Sequence, residues 1–142
     1  GKANLLKDGS DLCFIACGSA VFSALQAARE LEAEGIKARV LDMHSIKPLD
    51  KEAIKKAVHD TRRIITAEDH TVVGGLGGAV AEVIAESGMG CAFRRLGIQD
   101  TFSPIGYHED LMSIHGIDTN GLITAAREAL KMDFDDDWAD EV

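Results

Sequence analysis

Four short apolar segments that alternate with helical patterns constrain the fold of this 142-residue chain more than any other feature. The segments have the length of strands, and the patterns between them place apolar residues at helical spacing. The predicted strands are residues 12–17, 38–43, 63–67 and 93–98. Strands that alternate with helices are joined by right-handed crossovers, which give a parallel sheet with helices on both faces. The sequence therefore predicts a three-layer α/β domain.

An extended segment at residues 3–7 adds a further strand before the first parallel one. Asp8 and Gly9 separate the two, and this dipeptide favours a tight hairpin turn. We therefore expect an antiparallel edge strand at the N-terminus that Asp8 and Gly9 turn back onto the first parallel strand. The predicted sheet is mostly parallel and has about five strands.

Capping residues and glycines indicate the helix boundaries. Ser19, Asp50 and Thr119 are candidate N-caps, because their side-chain oxygens can accept a hydrogen bond from the first turn of a helix. Gly35 and Gly88 are typical of helix ends. The predicted helices are residues 20–34, 51–59, 76–86, 108–115 and 119–131.

The net charge of −9 is concentrated at the C-terminus, where six acidic residues surround Trp138. We expect residues 1–132 to form one α/β domain and residues 133–142 to form a flexible acidic tail. The rest of the chain has no basic stripe with interleaved aromatic residues. The sequence therefore does not favour binding to nucleic acid.

Composition indicates a protein of the cytoplasm that does not contact a membrane. The sequence has no run of eighteen apolar residues and no secretory pattern at its N-terminus. Its three cysteines, Cys13, Cys17 and Cys91, lack the spacing of a disulfide framework or a zinc site. We expect all three to be ordinary reduced thiols.

The candidate site residues follow the third parallel strand. Glu68 and His70 are two positions apart, so in a continuing strand they lie on one face and can form a charge-assisted pair. Such a pair can tune the histidine for proton transfer, or it can hold the loop against a neighbouring domain. The second role is favoured, because the sequence places no nucleophile nearby. Gly74, Gly75 and Gly77 allow the backbone to approach a ligand, a partner domain or the neighbouring strand.

The sequence contains no complete catalytic, cofactor-binding or metal-binding set. Val80 stands where a dinucleotide-binding fingerprint needs its last glycine, and the phosphate-loop and nucleophile-elbow motifs are absent. Four histidines lack metal-like spacing and are expected on the surface or in loops. They are His44, His59, His108 and His115.

Two interpretations remain open from the residues alone. The favoured one is a structural module in which residues of the glycine-rich segment lie at an interface or brace a loop. These residues are Glu68, His70, Gly74, Gly75 and Gly77. The alternative is a stand-alone regulatory module that binds an anion or a nucleotide at the helix starts near Gly18 or Gly75.

Three stretches of the sequence resemble the C-terminal domain of transketolase. They are residues 38–50, 66–77 and 95–102. The resemblance covers nearly the whole chain and is closest to the C-terminal section of split bacterial and archaeal transketolases. Related domains occur in deoxyxylulose-5-phosphate synthase and in the β subunit of 2-oxoacid dehydrogenases, and both are alternatives. The loop at 46–50 favours transketolase, whereas residues 103–108 depart from its usual pattern.

The resemblance implies a part in ketol transfer and not a complete enzyme. Transketolases use thiamine diphosphate and Mg²⁺ to move a two-carbon ketol unit between sugar phosphates, as in pentose phosphate metabolism. The domains that bind this cofactor precede the C-terminal domain, so the resemblance implies that this chain binds no cofactor or metal and is inactive alone. Its implied partners are the preceding pyrimidine- and diphosphate-binding domains, in a homodimer or heterotetramer.

Overall fold

A computed structural model describes residues 1–132 of the chain. Strands and helices follow one another as the sequence predicts. The strands are β1 (Asn4–Lys7), β2 (Leu12–Ala16), β3 (Ala38–Asp42), β4 (Arg63–Thr71) and β5 (Ala92–Ile98). The helices are α1 (Ala20–Ala33), α2 (Lys51–Thr61), α3 (Leu76–Ser87), α4 (His108–Ile114) and α5 (Thr119–Leu130). The predicted acidic tail and Trp138 lie outside the described residues.

The strands form one five-stranded sheet in the order β1-β3-β2-β4-β5. β2, β3, β4 and β5 are parallel to one another, and β1 is antiparallel to β3. Successive residues of β2 face opposite sides of the sheet, so Phe14 packs under α1 and α5 while Ile15 packs under α2 and α3. The structure confirms the predicted three-layer α/β fold with an antiparallel edge strand.

The predicted hairpin at Asp8 and Gly9 is wrong, because β1 pairs with β3 and not with β2. The chain passes the first residues of β3 on its way from β1 to β2. A Cβ atom on Gly9 would lie 2.4 Å from the carbonyl carbon of Ala38, so only glycine allows this passage. Asp8 accepts a hydrogen bond of 2.9 Å from Nε of Arg39, which holds the connection against β3.

Arg39 links this connection to α2 through a mostly buried ion pair. Its guanidinium lies 2.9 Å from Asp60 at the C-terminal end of α2, and Asp60 also pairs with Lys56 at 2.8 Å. Hydrogen bonds from Lys56, His59 and Arg39 hold the pKa of the Asp60 carboxyl well below its usual range. The ion pairs of Arg39 therefore join β3 to α2 and to the connection that follows β1.

The structure corrects two of the three predicted N-caps. Asp50 caps α2 as expected and accepts a hydrogen bond of 3.1 Å from the amide of Ala53. Ser19 precedes α1 but has helical backbone angles, and its side chain makes no capping bond. Asp118 caps α5 in place of Thr119, and it accepts a hydrogen bond of 2.9 Å from the amide of Gly121. An extended N-cap residue can aim its side chain at the first turn, as Asp118 does and the helical Ser19 cannot.

The three cysteines, Cys13, Cys17 and Cys91, are free, as predicted. Burial raises the pKa of the Cys91 thiol to about 11.

Among the described residues, no helix is both long enough and apolar enough to span a bilayer.

Candidate functional site

The loops that follow β2, β3, β4 and β5 meet along one side of the sheet, here called the carboxyl edge. β2 and β4 are neighbours, but the helices that follow them cover opposite faces of the sheet. Such a reversal is a topological switch point, where open α/β sheets usually bind their ligands. The glycine-rich segment after β4 lies at this point. The carboxyl edge is therefore the first place to look for a functional site.

β4 extends to Thr71 and not to residue 67 as predicted, so Glu68 and His70 belong to the strand. Glu68 is only 1% exposed. One carboxylate oxygen accepts a hydrogen bond of 2.7 Å from the amide of Leu76, and the other accepts one of 2.9 Å from Gly77. Leu76 and Gly77 begin α3. Glu68 therefore caps this helix from the neighbouring strand, and its charge lies where the helix dipole favours an anion.

Gly75 and Gly77 are explained by the closeness of α3 to the strands. A Cβ atom on Gly75 would lie 2.1 Å from Oε2 of Glu68, and one on Gly77 would lie 2.8 Å from Oγ1 of Thr66. Gly74 has a φ of +74°, which L-residues with side chains rarely adopt. At Gly75 and Gly77 the backbone approaches β4, which is one of the three partners left open by the sequence.

His70 lies beside Glu68 on the same face but faces solvent. Its side chain is 57% exposed, and its Nδ1 atom lies 3.8 Å from Oε2 of Glu68, which is too long for a hydrogen bond. Nδ1 lies 2.7 Å from the carbonyl oxygen of Thr71 instead. That oxygen can only accept, so Nδ1 carries the hydrogen in this arrangement. The structure brings the predicted pair together without the hydrogen bond that would tune the imidazole for proton transfer.

Two histidine contacts at the carboxyl edge were not predicted. His108, at the start of α4, lies 3.6 Å from the carboxylate of Asp69. Nε2 of His115 lies 2.9 Å from the hydroxyl of Ser103. Both contacts hold the loop between β5 and α4. Their partners are distant in sequence, so no local motif predicts them.

Cys17 follows β2 and lies near the capping carboxylate. Burial, together with the negative charges of Glu68 and Asp42, raises the pKa of its thiol. A raised pKa keeps the thiol protonated near neutral pH, and a protonated thiol is a poor nucleophile. In residues 1–132, no three His, Cys, Asp or Glu side chains are grouped so that they could hold a metal ion. The arrangement at the switch point is suited to fixing α3 and presenting a surface.

The helix start at Gly75 is also unsuited to the anion-binding alternative. The carboxylate of Glu68 already occupies the amides of Leu76 and Gly77. An anionic ligand would have to displace a buried charge of the same sign. The start of α1 near Gly18 has no such carboxylate. One amide there, that of Val21, already donates to the carbonyl oxygen of Gly18 at 3.2 Å.

Comparisons with known proteins give one consistent family. The family model described as the transketolase C-terminal domain matches residues 1–122. One subunit of an apulose-4-phosphate transketolase from Phocaeicola vulgatus is 46% identical over 131 residues, which are 92% of this chain and 41% of the relative. A 1-deoxy-D-xylulose-5-phosphate synthase from Halothermothrix orenii is 43% identical over 127 residues, which are 89% of this chain and 20% of the relative.

A solved structure agrees with the sequence relatives. It is described as a split-gene transketolase, an inactive β4 tetramer, and it superposes with a TM-score of 0.86 at 39% identity. The match covers 91% of this chain and 42% of that one. The chain therefore spans about two fifths or less of the length of these proteins.

The capping role of Glu68 predicts a specific loss of stability. Glu68→Gln removes the charge and leaves one acceptor for two amides, so we expect the free energy of unfolding to fall by about 2 kcal/mol. Urea unfolding of the 142-residue chain measures this change. Glu82→Gln is the control, because Glu82 lies exposed on α3. Equal effects of the two substitutions would contradict the capping role.

Proposed function

The chain belongs to the transketolase C-terminal domain family, and we propose that it is the structural and assembly domain of a larger transketolase. The observation that carries this proposal is that Glu68 is buried and caps α3. This buried carboxylate at the switch point binds the start of α3 and is not presented to a ligand. A domain of this kind supports the parts of an enzyme that hold the reacting groups.

The proposed cofactor of the whole enzyme is thiamine diphosphate with Mg²⁺, bound outside this domain. The residues at the carboxyl edge do not fit these groups. The helix start that could hold a diphosphate is filled by Glu68, and the described residues offer no cluster of metal ligands. The chemistry of ketol transfer, of the pentose phosphate type in this proposal, then takes place on the preceding domains.

The position of the N-terminus supports contact between the carboxyl edge and those domains. The amino group of Gly1 donates to the hydroxyl of Ser45 at 3.1 Å, and the amide of Ala3 donates to Asp50 at 2.9 Å. Ser45 and Asp50 belong to the loop after β3, which lies at the carboxyl edge. A polypeptide that precedes Gly1 in a longer protein, here called the upstream polypeptide, would leave from this edge. His70 and the loop at Gly74 lie along the same edge, two strand positions away.

The proposed partners are therefore the pyrimidine- and diphosphate-binding domains, in a cytoplasmic homodimer or heterotetramer. Of the two alternatives for the whole enzyme, a 2-oxoacid dehydrogenase and a 1-deoxy-D-xylulose-5-phosphate synthase, the second is supported by a relative of that name that is 43% identical. The transketolase is favoured by the solved split-gene structure, whose TM-score is 0.86. Assays for both products on the assembled enzyme separate the two.

Cofactor binding and activity test the proposal. We expect calorimetry to detect no saturable binding of thiamine diphosphate with Mg²⁺ to the 142-residue chain at micromolar concentration. We expect ketol transfer between sugar phosphates once both preceding domains are present, on the same chain or on a separate subunit. Micromolar binding to the isolated chain, or no ketol transfer when both preceding domains are assembled with it, would contradict the proposal.

An interface role for His70 predicts that assembly and folding respond differently to its removal. His70 is mostly exposed, so His70→Ala should change the free energy of unfolding by less than about 0.5 kcal/mol. Binding of the upstream polypeptide should weaken about tenfold, as measured by analytical ultracentrifugation. His59→Ala is the control, since His59 lies at the C-terminal end of α2, away from the carboxyl edge. If His70→Ala lowered the free energy of unfolding as much as the free energy of binding, the role of His70 would be purely structural.

A further inference from the structure

The loop between β5 and α4 exposes three large apolar side chains. Phe102 and Ile105 are fully exposed, and Tyr107 is 84% exposed. All three lie within six residues, and large apolar groups clustered in this way are typical of interaction sites. The candidate interface residues named from the sequence did not include them. They are the strongest feature of the carboxyl edge that the described fold leaves without packing.

A fourth exposed apolar residue lies on α1, across a groove from the end of the loop. Phe22 is 67% exposed in the first turn of that helix. It lines an open groove together with His108, Met112 and Asp118. Because His108 directly follows Tyr107, the groove joins the loop to Phe22. Phe22, Phe102, Ile105 and Tyr107 are here called the apolar surface.

The Ser103–His115 contact has the length of a hydrogen bond and restrains the loop, while its apolar side chains remain exposed. Ser103 is bonded to His115 in the middle of the loop, and His108 pairs with Asp69 at its end. Gly106 packs near Leu111, where an added Cβ atom would lie 3.6 Å from the leucine side chain. A loop fixed before binding loses little conformational entropy when a partner arrives, which increases affinity.

Acidic residues border the apolar surface and restrict its partner. Asp100, Glu109 and Asp110 are exposed carboxylates that flank the loop in the chain, and the exposed Asp69 lies 3.6 Å from His108. In a two-fold contact between copies, the same patch meets itself, so these carboxylates would face one another. Like charges brought together at an interface are unfavourable. The rim of the surface therefore suits a partner with lysine or arginine around an apolar centre.

We propose that the apolar surface is the docking site for the upstream polypeptide, which presents an apolar patch bordered by basic residues. This inference rests on the proposed function and adds the residues and the chemistry of the contact. About three fifths of the transketolase relative lies outside the region matched by this chain. Gly1 lies at the same edge. The width of the five-stranded sheet, roughly 20 Å, separates Gly1 from the loop between β5 and α4. A domain has a diameter larger than this distance, so one domain can cover both.

The test uses the upstream polypeptide, produced separately, and three forms of the 142-residue chain. Ile105→Ser should weaken binding at least tenfold without changing the urea midpoint, because Ile105 is fully exposed. Met132→Ser is the matched control: Met132 is 51% exposed beside Arg63 at the opposite edge of the sheet, and its substitution should leave binding unchanged. Binding by the unsubstituted chain should also weaken as salt is raised, since salt screens the rim charges.

Two results would overturn the docking site. One is binding by Ile105→Ser that is as tight as that of the unsubstituted chain. The other is a photo-crosslinker at position 105 that labels a second copy of this chain and not the upstream polypeptide. Ketol-transfer assays, with both preceding domains present, separate this inference from the proposed function. If assembly and activity do not depend on Ile105, the docking site is wrong and the function stands. If assembly depends on Ile105 but ketol transfer is absent, the function is wrong and the docking site stands.

Discussion

The hydrogen bonds from the start of α3 to the carboxylate of Glu68 determine most of what is distinctive in this domain. A buried carboxylate needs partners, and the first amides of a helix need acceptors, so each group meets the requirement of the other. The contact requires β4 to continue past residue 67 so that Glu68 reaches the helix. It also requires glycine at position 75, because any side chain there would overlap the carboxylate. The length of β4, the start of α3 and the glycine at position 75 are therefore consequences of one interaction.

Because of this interaction, the topological switch point does not present its buried carboxylate to a ligand. In open α/β sheets this position commonly binds a ligand, and an acid next to glycines at a helix start is consistent with that use. Here Glu68 is buried in the domain. The groups exposed at the carboxyl edge include His70, the loop at Gly74 and the apolar surface. These groups are suited to contact with another folded surface. The family relationship and the position of Gly1 are consistent with that use of the edge.

The sequence predicted the regular part of the fold because its signals are local. The fully apolar β2 required cover on both faces, and Asp50 both precedes and caps α2. Asp8 and Gly9 misled the prediction because a turn signal describes two residues, whereas the choice between β2 and β3 as the partner of β1 depends on the whole sheet. The contact of Ser103 with His115 and that of Asp69 with His108 likewise join residues that only tertiary structure brings together.

The sequence could indicate which residues share this segment but not the contacts that they make. The role of Glu68, His70 and the glycines at an interface stays a prediction. Their spacing suggested a pair between Glu68 and His70, but the amides of Leu76 and Gly77 compete for the same carboxylate and lie closer to it. A double-mutant cycle between Glu68→Ala and Gly75→Ala tests this account most directly. Gly75→Ala should be strongly destabilising in the unsubstituted chain, because its Cβ atom would overlap the carboxylate, and nearly neutral in the Glu68→Ala background. Equal costs in the two backgrounds would contradict the account.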